Sequence, residues 1–165
     1  MRPTIARPST LPLKVENIPH ELRERPQWVC WRWDWIQARA KWTKVPINPR
    51  TGRLASTADP ATWGAFEDAL ARSRDDGLDG IGYVFSEHDP YAGVDLDGCR
   101  DSVTGDITPW ALEIARCLDS YTEVSPSGRG LHIFVRAALP RRGNRKGNVE
   151  FYDRGRYLTV TGHMP

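Results

Sequence analysis

Residues 91–97 read YAGVDLD, and the organisation of the chain follows from how that heptapeptide is laid out. In an extended strand, side chains two apart point to the same side, roughly 6.5–7 Å apart along the chain. Val94 and Leu96 then turn to a core, and Asp95 and Asp97 stand together on the open face. Like charges that close are costly unless complemented, and a divalent cation is the natural complement. Magnesium and manganese prefer oxygen donors of this kind. Gly98 follows, so the same triplet also suits a pair of turn aspartates.

Downstream, SPSGRGLHIF (125–134) is a Gly/Ser turn running into a strand. Ser125, Ser127, Gly128 and Gly130 can bring hydroxyls and backbone N–H groups against phosphate oxygens, and Arg129 adds a planar charged fork. With Leu131, Ile133 and Val135 inward, His132 points outward with Phe134, placed to donate to a triphosphate; the plainer reading is a tight turn and a surface histidine. In VEFYDRGRYLTVTG (149–162), Val149 and Phe151 alternate with Glu150 and Tyr152. Glu150 thus falls on a polar side and can complete a carboxylate triad, Asp153 is a second candidate within the turn, and Arg156 opens the returning strand. Between these lies a basic loop whose Arg141, Arg142, Arg145 and Lys146 suit a nucleic-acid backbone or, equally, a solvated charge run.

Upstream, GIGYVF (80–85) reads as a strand, with SEHDP as the turn that pairs it with 91–97 in an antiparallel hairpin. Residues 28–33 read as another strand within a run of four tryptophans, WVCWRWDW, which suits core packing or a stacking platform for bases. KVPINPRTGRLAST is a loop or short hairpin. Asp59 and Pro60 make an N-cap and first helical residue, and Trp63, Phe66 and Leu70 carry the helical spacing to about Arg74. Thr108 and Pro109 open a second helix with Leu112, Ala115 and Leu118 on one side. Strands at 121–125 and 131–135 and a final hairpin of 148–152 with 157–161 complete the chain. Strands with two interspersed helices predict an α/β or α+β fold.

The 165 residues suit one domain, expected to span 15–165 behind a flexible basic lead-in at 1–14. Residues 1–50 hold ten Lys/Arg and four Asp/Glu, residues 51–124 five and fifteen, and residues 125–165 eight and two. An acidic centre between basic ends fits a protein that gathers cations at one place and phosphates around it, though a solvated acidic face has the same composition. Three cysteines far apart without a CxxC argue against a disulfide framework or a zinc site and for reduced thiols in the cytoplasm. No apolar run suits a membrane span, and the N-terminus lacks the apolar stretch of a signal peptide. The chain stops soon after a strand, which suggests an excised domain or the front of a longer protein.

Taken in order, Asp95-Leu96-Asp97, the run from Ser127 to His132 and Val149-Glu150 resemble the three motifs of the archaeo-eukaryotic primase superfamily: two acids after a hydrophobic strand, a small residue and histidine on a strand, and a hydrophobic residue with an acid. The likeness is to the primase–polymerase domains of phages, plasmids and mobile elements. It extends upstream to Lys44-Val45-Pro46-Ile47-Asn48-Pro49 and to Ala55-Ser56 and Trp63, and covers most of residues 25–163. The resemblance implies a compact domain with an RRM-like, mainly antiparallel sheet carrying the catalytic acids. It implies template-dependent nucleotidyl transfer, with Asp95, Asp97 and Glu150 holding two Mg2+ or Mn2+ ions. Ser125, Ser127, Gly128, Arg129 and His132 would grip the triphosphate, Lys44 and Arg156 would touch the nucleotide, and Arg141, Arg142, Arg145 and Lys146 would follow DNA. It further implies a DNA template or primer and nucleoside triphosphates as partners, helical and helicase domains downstream, and a bacterial or phage-infected cell as the setting. Rival readings are a non-catalytic single-stranded nucleic-acid or nucleotide-binding module, a metal-dependent nuclease, and a replication initiator.

Overall fold

A computed structural model describes residues 3–140 and 144–165. A short helix, His20–Arg23 (α1), leads into the tryptophan-rich strand Trp28–Ile36 (β1), which doubles back as Lys41–Ile47 (β2). There follow Phe66–Asp75 (α2), Gly80–Phe85 (β3), Tyr91–Leu96 (β4), Pro109–Leu118 (α3), Tyr121–Val124 (β5), Leu131–Arg136 (β6), Asn144–Lys146 (β7), Val149–Tyr152 (β8) and Arg156–Val160 (β9). The strands form two antiparallel sheets, ordered β2-β1-β3-β9 and β5-β6-β4-β8-β7. With the helices they make an α+β fold.

Both hairpins expected from the sequence are instead crossings between the sheets. β3 pairs with β1 and β9, while β4 pairs with β6 and β8. Likewise β8 pairs with β4 and β7, and β9 returns to β3. Two strands joined by a short turn can lie edge to edge or face to face, and here large aromatics decide for the face. Tyr83 and Phe85 of β3 meet Tyr91, Phe134 and Tyr152 of the second sheet, with ring centroids 5.4–6.4 Å apart across Tyr83–Tyr91, Tyr83–Phe134, Phe85–Phe134 and the Tyr83–Phe85 pair itself. Burying a side chain the size of Phe85 completely contributes roughly 1.5–3 kcal/mol. Asp89 fixes the corner, its carboxylate accepting from Ser86 N, Tyr91 N and Gln27 Nε2.

The other face of the five-stranded sheet packs Val94, Leu96, Leu131 and Ile133 against Ala111, Ile114, Ala115 and Leu118 of α3. The four-stranded sheet receives Phe66 and Ala69 of α2 against Trp28 and Cys30. The helix expected from Asp59 onward is split. Asp59 caps a 3-10 turn at Pro60–Thr62, Gly64 then bonds Trp28 in both directions, and α2 starts only at Phe66. Gly64 spends its backbone groups on the sheet edge, where a helix would have used them internally. Lys44–Ile47, the start of the stretch read as a loop or short hairpin, belongs to β2, whose Pro46 lies on an edge where no ladder N–H is needed, and Ile47 bridges Leu54 across the turn as a short hairpin does.

Gly80 and Gly82 of β3 leave their face of the sheet bare. A Cβ on Gly82 would lie 2.5 Å from the Tyr157 ring, and one on Gly80 would lie 2.8 Å from Trp31 Nε1. Tyr157 thereby crosses β3 flat and donates its hydroxyl to the Lys44 carbonyl at 3.0 Å. Residues 5–14, read as a flexible lead-in, are tied to both sheets. Arg7 pairs with Asp79, Thr10 accepts from Trp33 Nε1, Leu11 N donates to Pro126 O, and Lys14 N donates to Thr161 O. Among the described residues no helix is long and apolar enough to cross a membrane.

Candidate active site

The strand register of the five-stranded sheet sets one residue from each strand in a single row. Arg145 stands opposite Glu150, Glu150 opposite Asp95, Asp95 opposite His132, and His132 opposite Glu123. Directly opposed residues of an antiparallel pair share a face with Cβ atoms roughly 4.5–5.5 Å apart. Five ionisable side chains therefore project together from the face that meets the other sheet. Asp95 and Glu150, 55 positions apart in sequence, become neighbours by pairing alone.

His132 is not outward-facing as the alternation suggested. It is 3% exposed and Phe134 4%, because the four-stranded sheet covers this face. Its Nδ1 lies 2.9 Å from the Thr159 carbonyl of β9, and its Nε2 lies 3.6 Å from Asp95 Oδ1. Asp97 follows β4, more exposed than Asp95. Burial pushes the Asp97 carboxyl above its usual range and the Asp95 charge adds to this, against Arg145, His132 and Lys44. Lys44 reaches in from β2 with its Nζ over Trp33 at 5.4 Å and Trp31 at 5.8 Å. Burial lowers its ammonium from the usual value, opposed by Asp95 and Asp97. A cavity of about 330 Å³ lies between the sheets here, lined by Trp33, Trp42, Lys44, Asp95, His132 and Glu150 among others. Thr159, whose hydroxyl has no hydrogen-bond partner among the described residues, is part of its wall. A larger hollow of about 780 Å³ shares Glu150, Tyr152 and Arg156 with it and adds Arg145 and Arg154.

Arg145, expected to follow a nucleic-acid backbone, lies on the acids. Its guanidinium is 3.1 Å from Glu150 Oε2 and 3.4 Å from Asp97 Oδ2, and Arg156 approaches Glu150 Oε1 at 3.6 Å. Among the described residues no three Asp, Glu, His or Cys side chains stand close enough together to hold a metal ion as they are. The donor chemistry nonetheless fits magnesium or manganese: Asp95 and Glu150 border the cavity, Asp97 follows Asp95 just past the end of β4, and all three offer hard oxygen donors. The arginine between two of them is 59% exposed, and exposed ion pairs are worth roughly 0–1 kcal/mol each, so its displacement is inexpensive.

The SPSGRG turn abuts the end of β4, where a Cβ on Gly130 would lie 2.6 Å from the Leu96 carbonyl. Its amides are largely committed. Gly128 N donates to Ser125 O, Arg129 N to Ser127 Oγ, and Gly130 N to the buried Ser125 Oγ. Gly128 supplies the required φ of +77°, and Arg100, absent from the sequence reading, donates to its carbonyl at 2.8 Å. Ser125 and Gly128 therefore brace the turn and leave the Ser127 and Arg129 side chains exposed; none of the four lines the cavity beside the acids. Asp153 turns away from Asp95. Burial raises its carboxyl, and the bonds from Arg154 and Leu139 N outweigh this and hold it low. Lys146 is exposed on β7, and Arg141 and Arg142 lie outside the described residues. Sequence reasoning missed Glu123, whose only signal was an acid at an inward position of a short strand.

Fold and site together define an α+β domain whose two sheets close on a row of carboxylates beside a buried histidine, at a cavity flanked by cations. No protein-family model matches the chain. It is 37% identical over 144 residues to the DNA primase-polymerase of Nitratiruptor phage NrS-1, a match covering 84% of this chain and 19% of that protein. Identity at that level over most of the chain supports a relation to the primase-polymerases.

Proposed function

We propose that this chain is the polymerase domain of a DNA primase-polymerase of the archaeo-eukaryotic primase superfamily, and that its five-stranded sheet is the counterpart of the RRM-like catalytic sheet. In this reading the domain is a template-dependent nucleotidyltransferase. The 3′-oxygen of a primer attacks the α-phosphorus of a nucleoside triphosphate, the bond to the bridging oxygen breaks, and pyrophosphate leaves. The observation that carries the reading is the pairing of Asp95 with Glu150 and His132 across three strands, in a chain related to a primase-polymerase.

Asp95, Asp97 and Glu150 would hold two Mg2+ or Mn2+ ions, which when bound lower the pKa of the attacking hydroxyl and neutralise the triphosphate. His132, with Nδ1 against the Thr159 carbonyl, lies with its Nε2 edge toward Asp95 and the place taken by the triphosphate. Lys44 and Arg156, both lining the cavity, complement the remaining charge. Ser127 and Arg129 meet the outer phosphates. Arg145 and Lys146, with Arg141 and Arg142, face the primer or template backbone, and the larger hollow provides its path. The full protein would carry helical and helicase domains beyond this one and act in the cytoplasm of a bacterial or phage-infected cell.

Primer extension with a labelled nucleotide, with magnesium or manganese and beside a no-primer control, tests the reading. Incorporation that depends on template and divalent cation is expected. Binding of oligonucleotide and triphosphate without incorporation would favour the non-catalytic binding module.

A further inference from the structure

The β1–β2 hairpin outruns the sheet it belongs to. β1 pairs with β3 only over Trp28–Trp31, while its pairing with β2 continues to Ile36 and Lys41. Residues 32–36 and 41–45 therefore stand as a two-stranded ribbon with no third strand beside them. Trp33 lies opposite Lys44 and Trp35 opposite Trp42, so the register gathers three indoles and one ammonium on a single face. Trp33, Trp42 and Lys44 of that face line the cavity beside Asp95, Glu150 and His132. The Trp35 ring meets that of Trp42 edge to face at 5.6 Å and extends the stripe toward the hairpin end. Trp28 and Trp31 of the same strand are 0% and 1% exposed, as core tryptophans are, whereas Trp33, Trp35 and Trp42 are only partly covered. Single exposed apolar side chains are ordinary, but a contiguous group of them marks a surface for binding.

The ring edges are already committed. Trp33, Trp35 and Trp42 donate their indole N–H groups to Thr10 Oγ1, Gln37 Oε1 and the Ile5 carbonyl at 3.1, 2.9 and 2.9 Å. What remains on offer is the π surface, which accepts a flat ring without reading its edge. The surroundings are basic. Arg39 and Lys41 are exposed at the hairpin end, and Asp34, the one acid between Arg25 and Arg50, is paired with Arg32 at 2.9 Å. Aromatic faces with cations beside them suit the bases and phosphates of a single strand. Trp33 and Trp35 are two residues apart, roughly 6.5–7 Å, so the stripe is long enough for consecutive nucleotides. We propose that this ribbon face is the platform for the unpaired template strand, whose bases stack on Trp35 and Trp42 as the strand enters the cavity. The proposal rests on the chain acting on a nucleic-acid template. No ribbon residue lines the larger hollow beyond Glu150, which leaves that hollow to the part of the template already paired with primer.

The test measures binding of a labelled oligothymidylate without triphosphate or divalent cation, so its outcome does not depend on catalysis. A chain of the same length lacking its bases is titrated beside it, and dATP with magnesium separately. Trp35→Ala should weaken oligothymidylate binding about tenfold and leave dATP affinity unchanged, and Trp35→Phe, which keeps a ring, should recover most of the loss. The dependence of affinity on salt should be unaltered in Trp35→Ala and shallower by about one in slope in Lys41→Gln. The baseless chain should bind wild type about tenfold more weakly than oligothymidylate, a comparison that needs no variant and holds the proposal open to refutation should Trp35→Ala not fold. Equal affinity of wild type for the two chains, or unchanged oligothymidylate binding in a folded Trp35→Ala, would overturn the proposal. Loss of dATP affinity with oligothymidylate binding intact would give the platform to the incoming base and overturn it as well. A chain that meets every binding expectation yet extends no primer would reject the polymerase reading and keep the single-strand platform.

Discussion

The two ends of the charged row across the five-stranded sheet are built oppositely. At the inner end Glu123 and His132 are 0% and 3% exposed, and their partners are mostly backbone groups of β9 and the residues after it. At the outer end Glu150 and Asp97 are paired with arginines that are 59% and 65% exposed. Backbone partners cannot leave without unfolding a strand, whereas an exposed guanidinium can swing into solvent or onto a phosphate. The inner end therefore fixes geometry, and the outer end holds charges that can be exchanged. Asp95 sits where the two meet.

Asp95→Asn should have the largest effect. Nucleotide incorporation is expected to fall on the order of 10²–10³-fold, as when one charge-stabilising group is removed from a reacting centre. Its melting temperature should stay at or above that of wild type, since a repulsive charge is lost; near-normal primer extension by the folded variant would reject the assignment. Next is Arg145→Gln. Freeing Glu150 and Asp97 from an exposed cation should raise Mn2+ affinity in the absence of nucleic acid about two- to fivefold, read by calorimetry or electron paramagnetic resonance. The same variant should bind oligonucleotide more weakly and with a salt slope smaller by about one. Lower Mn2+ affinity would mean that the outer end is as fixed as the inner one.

The smallest effect concerns Asp97. Its carboxyl is raised in the folded chain by burial and by Asp95. A group whose folded pKa exceeds the unfolded value contributes stability that is present below the unfolded pKa and lost as pH rises through the folded one. Asp97→Asn should thus melt about 1–2 °C higher than wild type at neutral pH, with the gap closing on acidification below the usual carboxylate range. A gap that widened at low pH would contradict the repulsion between the two aspartates.

The candidate site residues were legible because acids, glycines and a histidine interrupt apolar strands at fixed spacings. Asp95, Glu150 and His132 were named from such interruptions, and the sheet brings them together. Which sheet each strand joins was not legible. β3 is buried on both faces along its whole length and carries no alternation to betray a second layer. His132 was misplaced for the same reason: alternation tells one side of a strand from the other, and here a second sheet covers the side read as open. Glu123 escaped notice because its worth depends on Thr161 and Gly162, some forty residues later, whose amides only the folded chain delivers.

The segment before α1 has a practical consequence. Arg7, Thr10 and Lys14 are fastened on the side of the four-stranded sheet and Leu11 to the turn after β5, so this segment straps the two halves of the domain together. A recombinant version trimmed to begin at residue 15 would keep every group assigned to the chemistry and lose four of the ties that strap the two halves of the domain. Such a protein would be a poor standard against which to judge the stability of the natural one.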